Sequence, residues 1–465
     1  MESTPKIIPK KEHRIARANI SVNALRILYR LHSRGFIAYL VGGCVRDLML
    51  GRTPKDFDIG TNATPGQIKR LFHNCRLIGR RFRLAHIRFQ DETIEVSTFR
   101  RAAEPDDIEE IPEVVEGRKR HVRHLKDEHG MVLADNIFGT PEEDALRRDF
   151  TVNALAYNIA DSSVVDFSTG LADLKERVIR SIGDPGVRFT EDPVRMLRAV
   201  RFAASHDFTI EENAWHAILR LAPAIQRVSP SRLYEEIQKL FLLGFAAPTF
   251  FLLEKSGLLA ALFPGLHERV RGKPGLFETV ELYLRSFDER VGNGASVSPA
   301  LLLAALFGES IEKEAFERHQ DGIPMRQALD ASCAAFLTEI AQTAHIPGRA
   351  SGRLAAILAL KTGICRMPPR RPGTIAGRPE FMEALVYLSI ASQSHREYGS
   401  VLQWWENFTI ENPPSEEILE ATASPPRKKR RRRRRRSHRE KQEQPDTRVK
   451  GDPGQADNGD RIRYG

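Results

Sequence analysis

The stretch VGGCVRDLMLGRTPKDFDIGTNATP, residues 41–65, constrains the fold more than any other part of the chain. Phe36 to Val41 reads as a buried strand, Gly42 and Gly43 end it, and a helix covers about Val45 to Leu50. At such a turn the backbone N–H groups can approach a triphosphate, helped by the helix N-terminus. Arg46, one turn into the helix, can reach back as a phosphate clamp. A short strand, 57–59, then carries Asp56 and Asp58 at its start. Residues two apart in a strand share a face, so both carboxylates project together while Phe57 turns into the core. Two like charges that close are costly unless a cation neutralises them. A pair bridging two Mg²⁺ ions can activate an attacking hydroxyl and stabilise a leaving pyrophosphate. An isolated D-x-D is more often a solvated strand edge; the Gly pair and Arg46 ahead of it argue against that here.

The surroundings indicate an α+β domain on one small sheet. Residues 21–34 read as an amphipathic helix with Ala24, Leu25, Leu28 and Leu31 on one stripe. A helix-sized segment spans 65–72, and strands are expected at 84–89 and 93–99. A third carboxylate would complete the site, and two candidates exist. Glu95 leaves TIEVSTF on the face opposite Ile94 and Val96, and Asp149 follows Arg147 and Arg148 in RRDFTVNALA. Residues 101–130 mix charges with little apolar periodicity and read as a mobile loop, and Thr140-Pro-Glu-Glu starts a capped helix.

After about residue 170 the chain is expected to be almost wholly helical, at 191–205, 211–222, 230–243, 247–256, 299–315, 326–343, 350–362 and 379–406. Beyond Asn412 the composition shifts to Pro, Ser, Glu, Arg and Gly, which predicts disorder. The organisation expected is a catalytic head over 1–165, a helical neck over 166–245, a helical body over 246–411 and a tail over 412–465.

Charge is distributed unevenly. There are 71 Lys+Arg against 61 Asp+Glu, yet Arg427 to Arg436 are consecutive cations that supply the whole excess. Four dispersed cysteines, Cys44, Cys75, Cys333 and Cys365, lack metal-ligand spacing and suit a reducing cytosol. The apolar run Ala300 to Phe307 is too short to span a membrane and reads as a buried helix. A soluble protein of the cytoplasm is expected.

GG-x-VRD followed by D-x-D resembles the nucleotidyltransferase superfamily. With RRDFTVNALA and EDPVRMLRAVRF, it resembles the bacterial branch shared by tRNA CCA-adding enzymes and poly(A) polymerases. LIGRRFRLAHI at 77–87, IIPKKEHRIARANIS near the start, SPSRLYEEIQKLF at 229–241, QWWENF at 403–408 and the Arg-rich tail point toward the poly(A) polymerase side. The resemblance implies that Gly42, Gly43 and Arg46 bind the nucleotide triphosphate and that Asp56 and Asp58 hold metal. It makes Asp149 the preferred third catalytic carboxylate, with Arg148 and Asn153 on the phosphates and sugar. Asp192 and Arg195, read as one face of a helix, would recognise the base, and of Arg198 and Arg201 one would face the site and one solvent.

The implied reaction is attack of an RNA 3′-hydroxyl on the α-phosphate of ATP, with Mg²⁺ (or Mn²⁺) as cofactor. The implied partners are RNA 3′ ends, on mRNA fragments or structured RNAs, and RNA-decay machinery; a monomer is expected. The basic run suits RNA association, with a ribosome or degradosome tether, an anionic membrane contact or a nuclear-type signal as alternatives. Trp404 and Trp405 read as core rather than as base-stacking platforms, and His86 carries no ligand spacing. A CCA-adding enzyme and a catalytically silent RNA-binding protein are the competing readings.

Overall fold

In the computed structural model, residues 4–78, 84–101, 137–273 and 275–413 are described, together with the backbone of 111–115 and 118–122. The basic run 427–436, the rest of the tail beyond 413, and residues 79–83 of the LIGRRFRLAHI segment lie outside the described residues.

The head is built on strands β1 (Lys6–Ile8), β2 (Ala38–Val41), β3 (Asp58–Thr61), β4 (Cys75–Ile78), β5 (Leu84–Arg88) and β6 (Thr93–Thr98). Next come β7 (Ile111–Val115) and β8 (Arg118–Val122), which pair with each other, then β9 (Leu155–Asn158) and β10 (Val164–Asp166). The main sheet has eight strands in the order β1-β10-β9-β2-β3-β6-β5-β4. Neighbours are antiparallel except β3 and β6, whose parallel register sets Asp58 opposite Glu95. This sheet is larger than the sequence suggests, because β1, β4, β9 and β10 are only three or four residues long and too short to show alternation. The β7–β8 hairpin also corrects the expectation of a structureless loop over 101–130.

Helices α1 (Val22–His32), α2 (Gly43–Met49), α3 (Pro65–Leu71) and α4 (Pro141–Leu146) belong to the head. Ser21 caps α1 by accepting from the N–H groups of Asn23 and Ala24, and the helix buries Ala24, Ile27, Leu28 and Leu31. Thr140 and Glu143 form the capping box expected at α4. The neck comprises α5 (Gly170–Glu176), α6 (Pro185–Glu191), α7 (Val194–His206), α8 (Glu212–Leu221) and α9 (Pro230–Phe241), with a short parallel pair, β11 (Val178–Ile179) and β12 (Thr209–Ile210).

The body holds α10 (Ala246–Lys255), α11 (Leu258–Leu262), α12 (Pro264–Gly272), α13 (Leu276–Gly292), α14 (Pro299–Gln320) and α15 (Met325–Thr343). It ends with α16 (Gly348–Ile364), α17 (Pro372–Ala376), α18 (Phe381–Ala391) and α19 (Tyr398–Glu411). The helix expected over 379–406 is thus two helices. The polar break between them carries Ser394 and His395, which bond Tyr283 and Glu309 instead of continuing a helix. Ala300 to Phe307 are all buried in α14, and among the described residues no helix is long and apolar enough to cross a membrane. Trp405 is fully buried and donates from Nε1 to the Ile364 carbonyl at 3.0 Å, while Trp404 stacks on Phe408. All four cysteines are free thiols. One apolar core runs from α1 and the sheet through α7 into the body helices, so the neck is packed on both sides.

Candidate active site

Where β2 meets α2, the chain turns at Gly42 with φ +82°, a conformation costly for any residue with a Cβ. A Cβ there would also lie 2.8 Å from Nη1 of Arg148 and would displace that guanidinium. A Cβ on Gly43 would sit 3.4 Å from Nη2 of Arg46. The two glycines therefore let two guanidinium groups lie against bare backbone beside Asp58.

A cavity of about 310 Å³ opens at this turn, between the head and α6, α7 and α9. Of the ten site residues named from the sequence, nine line it; Asp56 does not. Asp58 begins β3, with Glu95 of β6 across the strand pair and His86 beyond, whose Nε2 is 3.4 Å from Glu95 Oε2. Burial first, and then the Glu95 charge, push the Asp58 carboxyl up to about 6, against the pull of Arg148. Asp58 is thus a buried carboxylate with a second acid in register beside it. Among the described residues no three His, Cys, Asp or Glu side chains converge closely enough to hold a metal ion by themselves.

Asp149 lies in the same cavity as Asp58, inside a network of its own. Its Oδ1 accepts from the Phe150 N–H at 2.9 Å and from Asn153 Nδ2 at 3.1 Å, and its Oδ2 accepts from Arg198 Nε at 2.6 Å. Burial opposes its ionisation, but Arg198, Asn153 and the Phe150 N–H outweigh it and hold the carboxyl down at about 2. These bonds fix its carboxylate in the wall of the cavity, while Glu95 stands in register with Asp58. The same network reaches Arg46, whose Nη1 donates to Asn153 Oδ1 at 2.8 Å.

Arg148 is held from behind by Asp144, at 3.1 Å from Nη2 to Oδ2. Arg188 donates from Nη2 to the carbonyls of Arg147 and Arg148 at 2.6 and 2.7 Å, fixing that turn from α6. Neither Asp144 nor Arg188 was among the residues named from the sequence, although Asp144 at four residues before Arg148 has helical ion-pair spacing.

The base-facing pair differs from expectation. Asp192 is not on a helix with Arg195; it forms the extended junction between α6 and α7, with φ −150° and ψ 91°. Pro193, which follows it, keeps it out of the helical conformation. Asp192 Oδ2 pairs with Arg232 Nη2 of α9 at 2.6 Å, and Arg195 Nη1 donates to the Arg188 carbonyl at 3.0 Å. Both still face the cavity, joined by Arg147, Arg232 and the ring of Phe202. Arg198, 34% exposed, grips Asp149 in the cavity, and Arg201 is turned inward rather than to solvent, lying over Phe202, 4.4 Å from Cζ to the ring centre, with Glu236 at 3.5 Å.

Three family models match the chain: "Poly A polymerase head domain" over residues 38–180, "Probable RNA and SrmB- binding site of polymerase A" over 207–269, and "Polymerase A arginine-rich C-terminus" over 321–439. The chain is 40% identical over 416 residues to poly(A) polymerase I of Escherichia coli O6:H1, covering 88% of this chain and 87% of that one. It is 36% identical over 418 residues to poly(A) polymerase I of Haemophilus influenzae, covering 89% and 90%. Among solved structures, the CCA-adding enzyme of Bacillus stearothermophilus in complex with CTP superposes with a TM-score of 0.55 at 24% identity, covering 87% of this chain and 88% of that one. That likeness is one of fold.

Proposed function

The chain belongs to the poly(A) polymerase family, and from that premise we propose how its residues carry out the reaction. It is a polynucleotide adenylyltransferase, adding AMP from ATP to RNA 3′ ends without a template and releasing pyrophosphate. The observation that carries the assignment of the site is the convergence of the Gly pair, Asp58, the RRD segment and the α6–α7 junction on one cavity.

The residues fit a divalent cation: Asp58 and Glu95 are opposed in register, and the open cavity leaves room for substrate oxygens to complete a coordination shell. Asp56 and Asp58 would hold Mg²⁺ or Mn²⁺, which when bound lowers the pKa of the attacking hydroxyl and neutralises triphosphate charge. The chain's own groups do the positioning. Arg46 has five N–H groups; three face Asp47 and Asn153, so two remain for phosphate oxygens. Arg148, fixed by Asp144 and pressed against Gly42, presents a second guanidinium beside Asp58. Together they orient the triphosphate toward the carboxylates, and Asn153, held by Asp149, supports the sugar end. Arg195 and Asp192 meet the base, with Asp192 held in place by Arg232. Catalysis rests on position and charge rather than on covalent chemistry with the protein.

RNA is the acceptor. Messenger RNA fragments and structured RNAs in the cytoplasm are the substrates this reading favours, with RNA-decay machinery as partner and a monomer as the working unit. The test offers the protein, with Mg²⁺, an oligo(A) and a tRNA lacking its terminal CCA, each with labelled ATP or CTP. Long ATP-dependent ladders on oligo(A) with little CTP use are expected. Addition stopping after two C and one A on the tRNA would instead assign the chain to the CCA-adding branch.

A further inference from the structure

The network around Arg46 extends beyond the cavity. One edge of its guanidinium turns away from the open volume, placing Nε 2.9 Å and Nη2 2.8 Å from Oδ1 of Asp47. The same Oδ1 meets His206 Nε2 at 3.2 Å, and His206 Nδ1 lies 2.7 Å from Ser205 Oγ. His206 is the last residue of α7, and its side chain is only 10% exposed. Its ring is edge-on to Phe202 at 6.2 Å and to Phe208 at 5.7 Å. Helix α7 thus reaches Arg46 twice, through the Phe202 ring, 5.0 Å from Cζ, and through His206 and Asp47.

The charged groups facing His206 are Asp47, Arg46 and Arg52, and Arg52 also donates to the Ser205 carbonyl at 3.2 Å. Asp207, next in sequence, is exposed and turns to Arg177. Burial lowers the pKa of His206, Asp47 pulls it back, and Arg46 and Arg52 lower it further. A neutral ring with Nε2–H donating to Asp47 and Nδ1 accepting from the Ser205 hydroxyl satisfies every partner. Such a ring orients the Asp47 carboxylate without cancelling its charge, so Asp47 stays fully available to Arg46.

We propose that Asp47 and His206 are a positioning pair for the polymerisation reaction. His206 fixes the Asp47 carboxylate, and Asp47 in turn holds the Arg46 guanidinium so that its two free N–H groups point at the triphosphate. The proposal rests on the reading of Arg46 as a phosphate ligand. A long side chain without that hold samples several rotamers, and ordering it on substrate binding costs affinity. Loss of the hold is expected to raise KM for ATP about tenfold with kcat within about twofold.

The test measures kcat and KM for ATP on oligo(A) with the full chain and Mg²⁺, with melting curves alongside. The variants are His206→Leu, His206→Gln, Asp47→Asn, Arg46→Ala and the double variant Arg46→Ala/His206→Leu. KM is expected to rise in His206→Leu and Asp47→Asn and to recover in His206→Gln, whose amide can restore the donor. In the double variant His206→Leu should add nothing to the effect of Arg46→Ala. Asp47→Asn and His206→Gln carry the comparison if His206→Leu fails to fold. An unchanged KM in the His206 and Asp47 variants, or full additivity with Arg46→Ala, overturns the pair's role while leaving Arg46 a phosphate ligand. If Arg46→Ala itself leaves KM unchanged, the reading of Arg46 fails and the pair's role fails with it.

Discussion

Two regions bury charge, the cavity between head and neck and a cluster inside the helical body, and they close their networks differently. In the body, Lys361 is 3% exposed and donates to both oxygens of Glu312 at 2.9 and 2.7 Å, with Tyr387 OH also on Glu312 at 3.3 Å. Glu309 accepts from Tyr283 OH at 2.9 Å and is flanked by Lys313 and His395, both at 3.1 Å. A cavity of about 590 Å³ borders these groups, larger than the one at the Gly-Gly turn. Size does not identify the site. In the body cluster Glu309 and Glu312 each face a cation, whereas at the turn Asp58 is in register with Glu95 and several arginines line the open cavity. A pocket whose charges are already matched stabilises the fold, and one whose charges await a partner is built for a ligand.

The comparison breaks most easily at Asp58. Asp58→Asn is expected to lower kcat by about a thousandfold or more while leaving the melting temperature near that of the parent, since it removes a repelled charge. Lys361→Met should do the reverse. It leaves Glu312 buried with a lone hydroxyl partner, at a cost of about 3–5 kcal/mol in denaturant titrations, with kcat and KM for ATP within about twofold. A Lys361→Met enzyme that is stable but inactive would show that the body cluster takes part in the reaction.

Acid should separate the two regions by sign. The Asp149 carboxyl is held at about 2, below its unfolded value, so the stability it contributes is present above the unfolded pKa and lost as pH falls from about 5 toward 2. The contribution is of order 2 kcal/mol. Glu312 is raised, because burial outweighs the attraction of Lys361 and the help of Tyr387. Its ionised form therefore costs stability above its folded pKa, and that cost is relieved as pH falls. Denaturation of Asp149→Asn and Glu312→Gln at pH 7 and at about pH 2.5, near the folded pKa of Asp149, checks this. Asp149→Asn should lose its deficit relative to the parent in acid, whereas Glu312→Gln should not; matching pH profiles would mean that the two networks are not electrostatically distinct.

Legibility followed how local each network is. The Gly pair and D-x-D were legible from side-chain type and period, whereas the residues of RRD and the EDPVR segment were named through the family resemblance that those short motifs carry. What the sequence concealed are partners from other elements: Arg232 on Asp192 across 40 residues, Arg198 on Asp149 across 49, and His206 on Asp47 across 159. The bonds that Asp149 makes were hidden for that reason, since what occupies a carboxylate's oxygens comes partly from other elements. In the fold, the long helices declared themselves by spacing, and α13, with Val280, Tyr283, Leu284 and Phe287 on one stripe, was readable though not anticipated. Strands of three or four residues carry no period to read.

Arg232 marks where the two kinds of region meet, and it tests the comparison at its finest. Its bond to Asp192 at 2.6 Å is a matched pair of the body kind, yet it lines the reaction cavity. A carboxylate fixed in this way can present its lone pairs in one geometry only, which suits an enzyme reading a single base. One that is free can turn to meet the donor pattern of another base. Arg232→Leu should therefore leave Asp192 mobile and raise CTP use relative to ATP. Because Arg232 is 45% exposed, the pair is discounted for solvent screening to about 1 kcal/mol, or about fivefold in the ATP-to-CTP ratio of kcat/KM. An unchanged ratio in a well-folded Arg232→Leu enzyme would assign base selection to Arg195 alone and reduce the Asp192–Arg232 pair to a strut between α6 and α9.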